Sequence, residues 1–347
     1  MSSVNAIISP ALNAPLERGT ITRRPVGAND VLIEIAWAGV CHSDIHTVSG
    51  AWGTPTFPLT VGHEIVGIVT EVGPEVTRHK VGDKVGIGCM VNSCRTCKNC
   101  LAGQEQFCYE GNTPTYNSLD RDGTITQGGY STHIVADADF VLSIPDSLPF
   151  DKVAPLLCAG ITTYTPLKRW NVGPGTRVAV VGLGGLGHIA VKIAAALGAE
   201  VSVISRTLSK KEDGLALGAS HLHRPNDPAT LPALANSFDM ILTTVSEAFD
   251  ADTYLELLDQ NGALVTVTAS TTPITITEFT LQANTRAVSA SKYGGIAQTQ
   301  EMLNFCAEHG IVPEVEIISA DQINDAWARV LRSDVRFRFV IDISTLA

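Results

Sequence analysis

The chain has 347 residues, a length typical of two domains, and 45% of them are hydrophobic, which is enough to build buried cores. A formal net charge of −11 argues against nucleic acid or an anionic membrane as a partner. Because the sequence shows neither a secretory signal peptide nor an apolar run of transmembrane length, we expect a cytoplasmic protein.

The first 150 residues are rich in short strand-like segments. Residues 1–35 contain apolar runs separated by Pro, Gly and Asn, and the last of these runs is Val31–Ile35. A longer apolar run at Ile65–Val72 and a turn at Val81–Val85 that enters another strand continue the pattern. Few segments show helical spacing, so the sequence predicts a mainly β domain in this half.

Four cysteines lie close together in this half, at Cys94, Cys97, Cys100 and Cys108. The eight cysteines of the chain would be many for a reducing cytosol if they formed disulfides. Four closely spaced thiolates suit a closed tetrahedral zinc site, which would hold together a lobe with little core of its own. Disulfides and an iron–sulfur cluster are the alternatives, although Tyr109 stands where one ferredoxin pattern has proline.

A second set of candidate metal ligands is dispersed along the sequence: Cys41, His63, Glu64 and Cys158. Two cysteines and one histidine would leave a fourth coordination position open, which is the pattern of a catalytic zinc site. Each residue alone is a weak indication. A cysteine in an apolar run, such as Cys158, is more often part of a core, and His63 with Glu64 is compatible with a surface pair.

From Val178 onward, predicted strands and helices alternate. The strands are Val178–Val181, Val201–Ser205, Phe238–Leu242, Ala263–Val267 and Ala287–Ala290, and the first two helices are His188–Leu197 and Ser209–Leu217. This alternation predicts an α/β domain with a doubly wound parallel sheet. Helices near 298–309 and 322–331 and strands near 315–318 and 337–341 can complete the first domain.

The first of these strands leads directly into a glycine-rich turn and a helix. In this context Gly182 permits a tight turn, Gly184 permits the backbone to approach a pyrophosphate, and Gly187 permits close packing of helix and strand. The helix N-terminus then favours the phosphates of a dinucleotide. The candidate cofactor contacts in this turn are Gly182, Gly184, Gly185, Leu186 and Gly187. The alternative is a glycine-rich turn without a ligand.

The residues after the second strand indicate which dinucleotide binds. Domains of this type that bind NAD carry Asp or Glu about 20 residues after the glycines, at the ribose 2′-hydroxyl. Here the strand ends in Ser205-Arg206, without a carboxylate. A hydroxyl and a guanidinium suit a 2′-phosphate, so we predict NADP(H) as the cofactor and Ser205, Arg206 and Lys210 as its readers. Lys211 is equally compatible with a solvated helix face.

Five motifs in this order resemble the zinc-dependent medium-chain alcohol dehydrogenases: Cys41-His-Ser-Asp44, Gly62-His-Glu64, the four-cysteine cluster, Leu156-Leu-Cys-Ala-Gly-Ile-Thr162 and the glycine run. The segment Asp334–Asp342 resembles the same family, in the branch of the cinnamyl alcohol dehydrogenases and their microbial relatives. The resemblance covers nearly the whole chain. It implies a GroES-like catalytic domain at 1–152, completed by 291–347, and a Rossmann NADP-binding domain at 153–290.

The resemblance also implies two zinc ions per subunit. The ligands of the catalytic ion would be Cys41, His63 and Cys158. Glu64 resembles the neighbouring carboxylate that can enter the coordination sphere, and Asp44 resembles the residue that orients the ligand histidine. The four clustered cysteines match the ligands of the structural ion.

Three further residues take their implied roles from the same resemblance. Ser43 and His46 match the positions of a proton relay, and Thr162 matches a residue that touches the nicotinamide. A histidine on a solvent-facing loop is the alternative for His46. Three aromatic residues are pocket candidates that are equally compatible with a core: Trp37, Trp52 and Tyr116.

The implied reaction is hydride transfer between NADPH and an aldehyde, with zinc polarising the carbonyl group. Segment Gly111–Asn117 lacks the tryptophan of the plant lignin enzymes, and Lys292 and Tyr293 stand where that branch tends to have apolar residues. We therefore expect a broad-range aldehyde reductase for aromatic, allylic or medium-chain substrates. A reductase of an iminium or an activated double bond is one alternative, and a non-catalytic zinc- and nucleotide-binding protein is another.

Assembly is also implied by the resemblance. Family members pair through the edge strand of the nucleotide-binding sheet, here at Ala287–Ala290, and an exposed apolar edge is otherwise a liability. We therefore expect a homodimer, with a tetramer as the alternative.

Overall fold

The computed structural model describes residues 1–206, 211–270 and 272–346. The chain forms two compact units, and the first is built from two separate segments, Met1–Ile161 and Gly294–Ala347. The second unit is the continuous segment Thr162–Tyr293. Within the described ranges, no helix is both long and apolar enough to cross a membrane.

The N-terminal segment of the first unit is mainly β. Its strands are β1 (Ser2–Ile8), β2 (Glu17–Arg23), β3 (Asp30–Gly39), β4 (Ile65–Val72), β5 (Lys84–Ile87), β6 (Met90–Asn92), β7 (Thr113–Pro114), β8 (His133–Asp137) and β9 (Leu142–Ser143). Its helices are α1 (His42–Val48) and α2 (Lys98–Leu101), and helix α3 (Ala159–Arg169) follows. A short 3-10 helix, Ala154–Leu157, precedes Cys158.

The second unit is a parallel sheet with helical connections. Its strands are β10 (Arg177–Val181), β11 (Glu200–Ile204), β12 (His221–His223), β13 (Phe238–Thr243), β14 (Leu258–Thr266) and β15 (Ala287–Ala290). Its helices are α4 (Gly187–Ala196), α5 (Lys211–Ala216), α6 (Thr230–Ala233), α7 (Ala251–Leu255) and α8 (Glu278–Gln282). The spatial order is β12-β11-β10-β13-β14-β15. The order reverses between β10 and β13, where sheets of this type bind dinucleotides.

The C-terminal segment returns to the first unit. It contains α9 (Ile296–Glu308), β16 (Val315–Ser319), α10 (Ile323–Leu331) and β17 (Arg338–Asp342). β17 runs antiparallel to β3, with Val340 opposite Gly39, in a sheet of order β16-β17-β3-β4-β5-β9 to which β8 is added beside β3. Phe339 of β17 is fully buried in the same core as Ile33 and Ile65, so the last strand is part of that core.

Three helices that the sequence pattern does not predict, α1, α2 and α3, carry candidate site residues, and α2, with Cys100, has only four residues. Helix α1 has only seven residues and few apolar ones, so it has no helical periodicity to detect. Helix α3 contains Gly160, a run of β-branched residues and Pro166, all of which have low helix propensity. Most of its residues are nevertheless buried, and burial in a tertiary structure overrides weak intrinsic propensity.

Candidate active site

The dispersed candidate ligands meet at one edge of the sheet in the first unit. Strand β3 ends two residues before Cys41, and β4 begins directly after His63 and Glu64. Because β3 and β4 are antiparallel, with Ala38 opposite Ile65, the end of one strand lies beside the start of the other. The 3-10 helix that precedes Cys158 contacts both strands and brings this cysteine to the same edge.

The distances within this cluster suit a single metal ion. Cys41 Sγ lies 4.0 Å from Cys158 Sγ, and His63 Nε2 lies 3.1 Å from the same sulfur. One ligand atom from each of these residues and from Glu64 falls within 4.8 Å of the others, and all four residues are buried. Two sulfurs bound at about 2.3 Å to one tetrahedral zinc ion would be about 3.8 Å apart, so the two thiols are suitably placed.

Asp44 positions the cluster from the first turn of α1. It is fully buried, and its Oδ2 accepts hydrogen bonds from the Cys41 backbone N–H at 3.0 Å and from the Tyr130 hydroxyl at 2.9 Å. Its Oδ1 lies 3.1 Å from His63 Nδ1. When Nδ1–H is donated to Asp44, the Nε2 lone pair of His63 is directed toward Cys158, as a metal-binding imidazole requires.

The cluster favours positive charge at its centre. Hydrogen bonding to Cys158 lowers the pKa of Cys41 well below that of a free thiol. Burial opposes a charged His63, but the Asp44 carboxylate and the neighbouring cysteine thiols together outweigh burial and raise the pKa of His63 well above its ordinary value. A cation would replace the protons that this arrangement attracts, because thiolate and imidazole ligands lose their protons on binding metal. The donor set therefore fits zinc.

Glu64 has a partner that the sequence analysis did not identify. Its fully buried carboxylate forms an ion pair with Arg338 of β17, which is also buried. Burial nevertheless raises the pKa of Glu64 to about 7. Its second oxygen, Oε2, has no hydrogen-bond partner among the described residues. This buried oxygen of Glu64 lies beside the three candidate ligands, so it is available to coordinate a cation bound there.

The four-cysteine cluster also comes together. Sulfur–sulfur distances are 3.8 Å for Cys94–Cys100 and 3.5 Å for Cys97–Cys100, far longer than a disulfide bond of about 2.05 Å. The backbone N–H of Cys94 points at the sulfur of Cys108 at 3.4 Å. Backbone N–H groups lower the pKa of Cys94 to about 6, whereas burial raises that of Cys100 to about 11. The separations fit four sulfurs around one zinc ion.

The candidate relay residues lie on α1, beside the ligand cluster. Ser43 Oγ is 3.5 Å from Cys41 Sγ. His46 is partly exposed, and its ring lies 5.1 Å from the ring of Trp52. Trp52 is 45% exposed, so it is not a core residue. Tyr116, in contrast, is buried with its ring 5.6 Å from that of His63.

The glycine turn of the second unit has the geometry expected for each glycine. Gly182 has a φ of +92°, which L side chains rarely adopt. A Cβ atom on Gly187 would collide with the carbonyl oxygen of Gly182, so the helix packs tightly on the turn. A Cβ on Gly184 would meet no atom of the described residues within 4 Å, which leaves open space over the turn. Leu186 is the N-cap residue of α4, and Gly185 is partly exposed.

The predicted readers of the 2′-phosphate follow β11. Ser205 is the first residue after the strand, and its backbone N–H donates to His223 O at 3.0 Å. Arg206 is exposed and pairs with Glu247 at 2.7 Å, a partner that the sequence analysis did not consider. Lys210 lies outside the described residues. Thr162, the candidate nicotinamide contact, is a buried residue of α3.

Comparison with known proteins places this geometry in a family. Residues 27–146 match the model of the alcohol dehydrogenase GroES-like domain, and residues 185–308 match that of the zinc-binding dehydrogenases. The NADP-dependent alcohol dehydrogenase C 1 of Mycolicibacterium smegmatis is 58% identical over 347 residues, which cover 100% of this chain and 99% of that protein.

Two solved structures are similar over almost their full length. The cinnamyl alcohol dehydrogenase of Sorghum bicolor has a TM-score of 0.96 and 39% identity, with 99% of this chain and 98% of that one covered. The CAD of Helicobacter pylori, in complex with NADP(H), has a TM-score of 0.92 and 41% identity, with the same coverage of 99% and 98%.

These similarities and the observed architecture confirm the predicted fold class, a mainly β GroES-like domain combined with a Rossmann-type parallel sheet. They also confirm that the chain is an oxidoreductase, because identity of 58% extends over the whole of a named enzyme. The chain belongs to the zinc-dependent medium-chain alcohol dehydrogenases, in the branch that includes the cinnamyl alcohol dehydrogenases.

Proposed function

We propose that this protein interconverts primary alcohols and aldehydes by NADP(H)-dependent hydride transfer, and that it works mainly as an aldehyde reductase. The proposal rests on the buried set of Cys41, His63 and Cys158, which offers three ligands to one ion and leaves a fourth position open. Relatives that are 58% identical are named NADP-dependent alcohol dehydrogenases. Zinc bound in this set would supply a Lewis acid for the carbonyl oxygen, and NADPH would supply the hydride.

The residues around the set would position the substrate and move the proton. Asp44 fixes the tautomer of His63 through the Nδ1 contact at 3.1 Å. Ser43, whose Oγ is 3.5 Å from Cys41 Sγ, would donate a proton to the nascent alcohol oxygen, and His46 would resupply Ser43 with a proton from solvent. We propose aromatic, allylic and medium-chain aldehydes as substrates, because segment Gly111–Asn117 contains no tryptophan that would restrict which aldehydes fit.

The direct test is the rate of NADPH oxidation with benzaldehyde, cinnamaldehyde and a straight-chain aldehyde, each with and without a strong chelator. We expect turnover with NADPH that the chelator abolishes, and little turnover when NADH replaces NADPH. Activity with NADH alone would contradict the cofactor assignment and leave the zinc assignment intact. No activity with either cofactor, in protein that holds two zinc ions per subunit, would contradict the proposed reaction.

Replacing His46 with alanine is expected to lower kcat by about 100-fold, because general acid–base catalysis is lost, without changing the zinc content. Steady-state kinetics and zinc analysis of the same preparation measure both quantities. The control is His309→Ala, which removes an exposed histidine whose ring packs on Phe305 after α9. Equal kcat values for the His46→Ala and His309→Ala variants would exclude His46 from the relay.

The double replacement Ser205→Asp with Arg206→Ala is expected to lower the ratio of kcat/KM for NADPH to that for NADH about 100-fold. The change removes a guanidinium partner of the 2′-phosphate and introduces a carboxylate that repels it. Arg169→Ala, at an exposed arginine at the C-terminal end of α3, is the control and should keep the wild-type ratio. An unchanged ratio in the double variant would refute Ser205 and Arg206 as the readers.

We propose that the protein is a cytoplasmic homodimer that pairs through β15. This strand is an edge of the six-stranded sheet, and its residues are partly or fully exposed. An open edge of this kind is a surface on which a second copy can add strand pairing. None of the eight cysteines forms a disulfide in this structure, which suits a reducing compartment.

A further inference from the structure

Tyr130 is a fully buried residue of the loop that precedes β8, and its side chain reaches Asp44. The Tyr130 hydroxyl donates to Asp44 Oδ2 at 2.9 Å, and the Cys41 backbone N–H donates to the same oxygen at 3.0 Å. The other carboxylate oxygen, Oδ1, faces His63 Nδ1 at 3.1 Å and accepts from the Gly62 backbone N–H at 3.3 Å. Tyr130 therefore helps to fix the carboxylate that faces the candidate ligand histidine.

The ring of Tyr130 packs on the backbone that leads into His63. Gly62 has a φ of +105°, and a Cβ atom on this residue would lie 2.5 Å from Tyr130 Cδ1. The loop backbone is tied to the same segment by three N–H···O bonds: Gly128 to Thr60 at 2.7 Å, Gly129 to Gly62 at 2.9 Å and Tyr130 to Val61 at 3.0 Å. A shift of the loop would therefore be transmitted to His63.

A buried arginine holds the loop on both sides of Tyr130. Arg23 of β2 is only 7% exposed. Its guanidinium donates to four neutral acceptors: Gln127 O at 2.6 Å, Gly128 O at 2.7 Å, Ser131 Oγ at 2.8 Å and His133 O at 2.9 Å. A buried charge is costly unless its donors are hydrogen-bonded, so the loop cannot move away from Arg23 without a large loss of stability.

We propose that Tyr130 is a positioning residue of the catalytic zinc site, which acts on the metal through Asp44 and His63. The inference rests on the proposed function, because it requires zinc at the candidate ligands. Hydrogen bonds to a carboxylate are stronger than those between neutral groups, and the outer partners of a ligand histidine set its ring orientation. Without the Tyr130 hydroxyl, the carboxylate keeps fewer donors and can rotate, so His63 is directed less well and zinc binds less tightly.

The test is the replacement Tyr130→Phe, which removes the hydroxyl and keeps the ring that packs on Gly62. The dissociation constant of the catalytic zinc ion is measured by competition with a chromogenic chelator, and Cys158→Ser identifies which of the two ions is displaced. We expect zinc binding to weaken about tenfold. The control is Tyr254→Phe, at a partly buried tyrosine of α7, which should bind zinc as the wild type does.

A double-mutant cycle with Asp44→Asn separates positioning from a general structural role. Asparagine keeps the size of the side chain but lacks the negative charge on which the hydroxyl acts. If Tyr130 acts through Asp44, Tyr130→Phe should weaken zinc binding less than about twofold in the Asp44→Asn background. A residue that only supports the fold would cause the same loss in both backgrounds.

Two results would overturn the inference: equal zinc dissociation constants for the wild type and Tyr130→Phe, or an equal loss in the presence and absence of the Asp44 carboxylate. A wild type that holds two zinc ions and reduces aldehydes, while Tyr130→Phe binds zinc equally well, would contradict the inference alone. Two zinc ions without reductase activity would contradict the proposed function, and the dissociation constants would still decide the role of Tyr130. A wild type that holds only the ion of the four-cysteine cluster would contradict both.

Discussion

Replacing Cys158 with serine is expected to remove one of the two zinc ions of each subunit and to lower kcat/KM by at least about 10³-fold. Cys158 is the central member of the ligand set, because its sulfur lies 4.0 Å from that of Cys41 and 3.1 Å from His63 Nε2. Serine keeps the size of the side chain, but its hydroxyl stays protonated and is a poor ligand for a borderline-soft ion. Zinc analysis and steady-state kinetics on the same protein measure both effects.

The control for this replacement is Cys306→Ser. Cys306 is fully buried and lies beside Met302 in α9, outside both cysteine clusters. The Cys306→Ser protein should therefore retain two zinc ions and most of the activity. This result would separate the effect of losing a metal ligand from the effect of losing any buried thiol. A Cys158→Ser protein that still holds two zinc ions would show that the catalytic site has been assigned to the wrong residues.

Replacing Arg338 with methionine is expected to lower the free energy of unfolding by about 3–5 kcal/mol, the usual cost of leaving a buried charge without its partner. Glu64 is fully buried and Arg338 nearly so, and their ion pair joins the start of β4 to the start of β17. Methionine keeps the apolar stem of arginine but cannot neutralise the carboxylate. Urea denaturation of the zinc-loaded protein measures the change.

A second variant distinguishes the loss of charge pairing from the loss of packing. In the double variant Arg338→Met with Glu64→Gln neither position carries a charge that lacks its partner, so more than half of the lost stability should return. Arg18→Met breaks an exposed ion pair with Asp321 and should leave the unfolding midpoint nearly unchanged. If Arg338→Met unfolds at the same urea concentration as Arg18→Met, the buried pair does not stabilise the first unit.

The parts of the molecule that the sequence predicts well are those with local signals. The predicted strands of the second unit are short apolar runs, and their bounds differ from the observed ones by no more than one residue, except that β14 begins five residues before its prediction. The glycine turn and the four-cysteine cluster are each contained within a few residues, so their spacing alone indicates a ligand. Strand β12, with only three residues, was too short to be recognised.

The candidate ligands Cys41, His63 and Cys158 are harder to group from the sequence, because they are far apart in it. Cys41 and Cys158 are separated by 117 residues, and neither has a local pattern that points to the other. Their residue types suggest a catalytic zinc set, but each residue alone is a weak indication, and the resemblance to a family is what assigns them to one ion. Arg338 lies 274 residues from Glu64, and its two neighbours in the sequence, Phe337 and Phe339, are apolar. An arginine within an apolar strand needs a buried partner, but the sequence does not reveal which carboxylate provides it.

The pairing of β17 with β3 has a consequence for how the protein is made. The second unit is continuous in sequence and has all of its strands once Tyr293 has been synthesised. The sheet that carries the candidate ligands still lacks β16 and β17 at that stage, and Glu64 still lacks Arg338. Domains generally fold as units while the chain grows from its N-terminus. On the ribosome, the second unit can therefore fold before the last strand of the first unit has been synthesised. A nascent chain can thus form its nucleotide-binding domain before its candidate zinc site is complete.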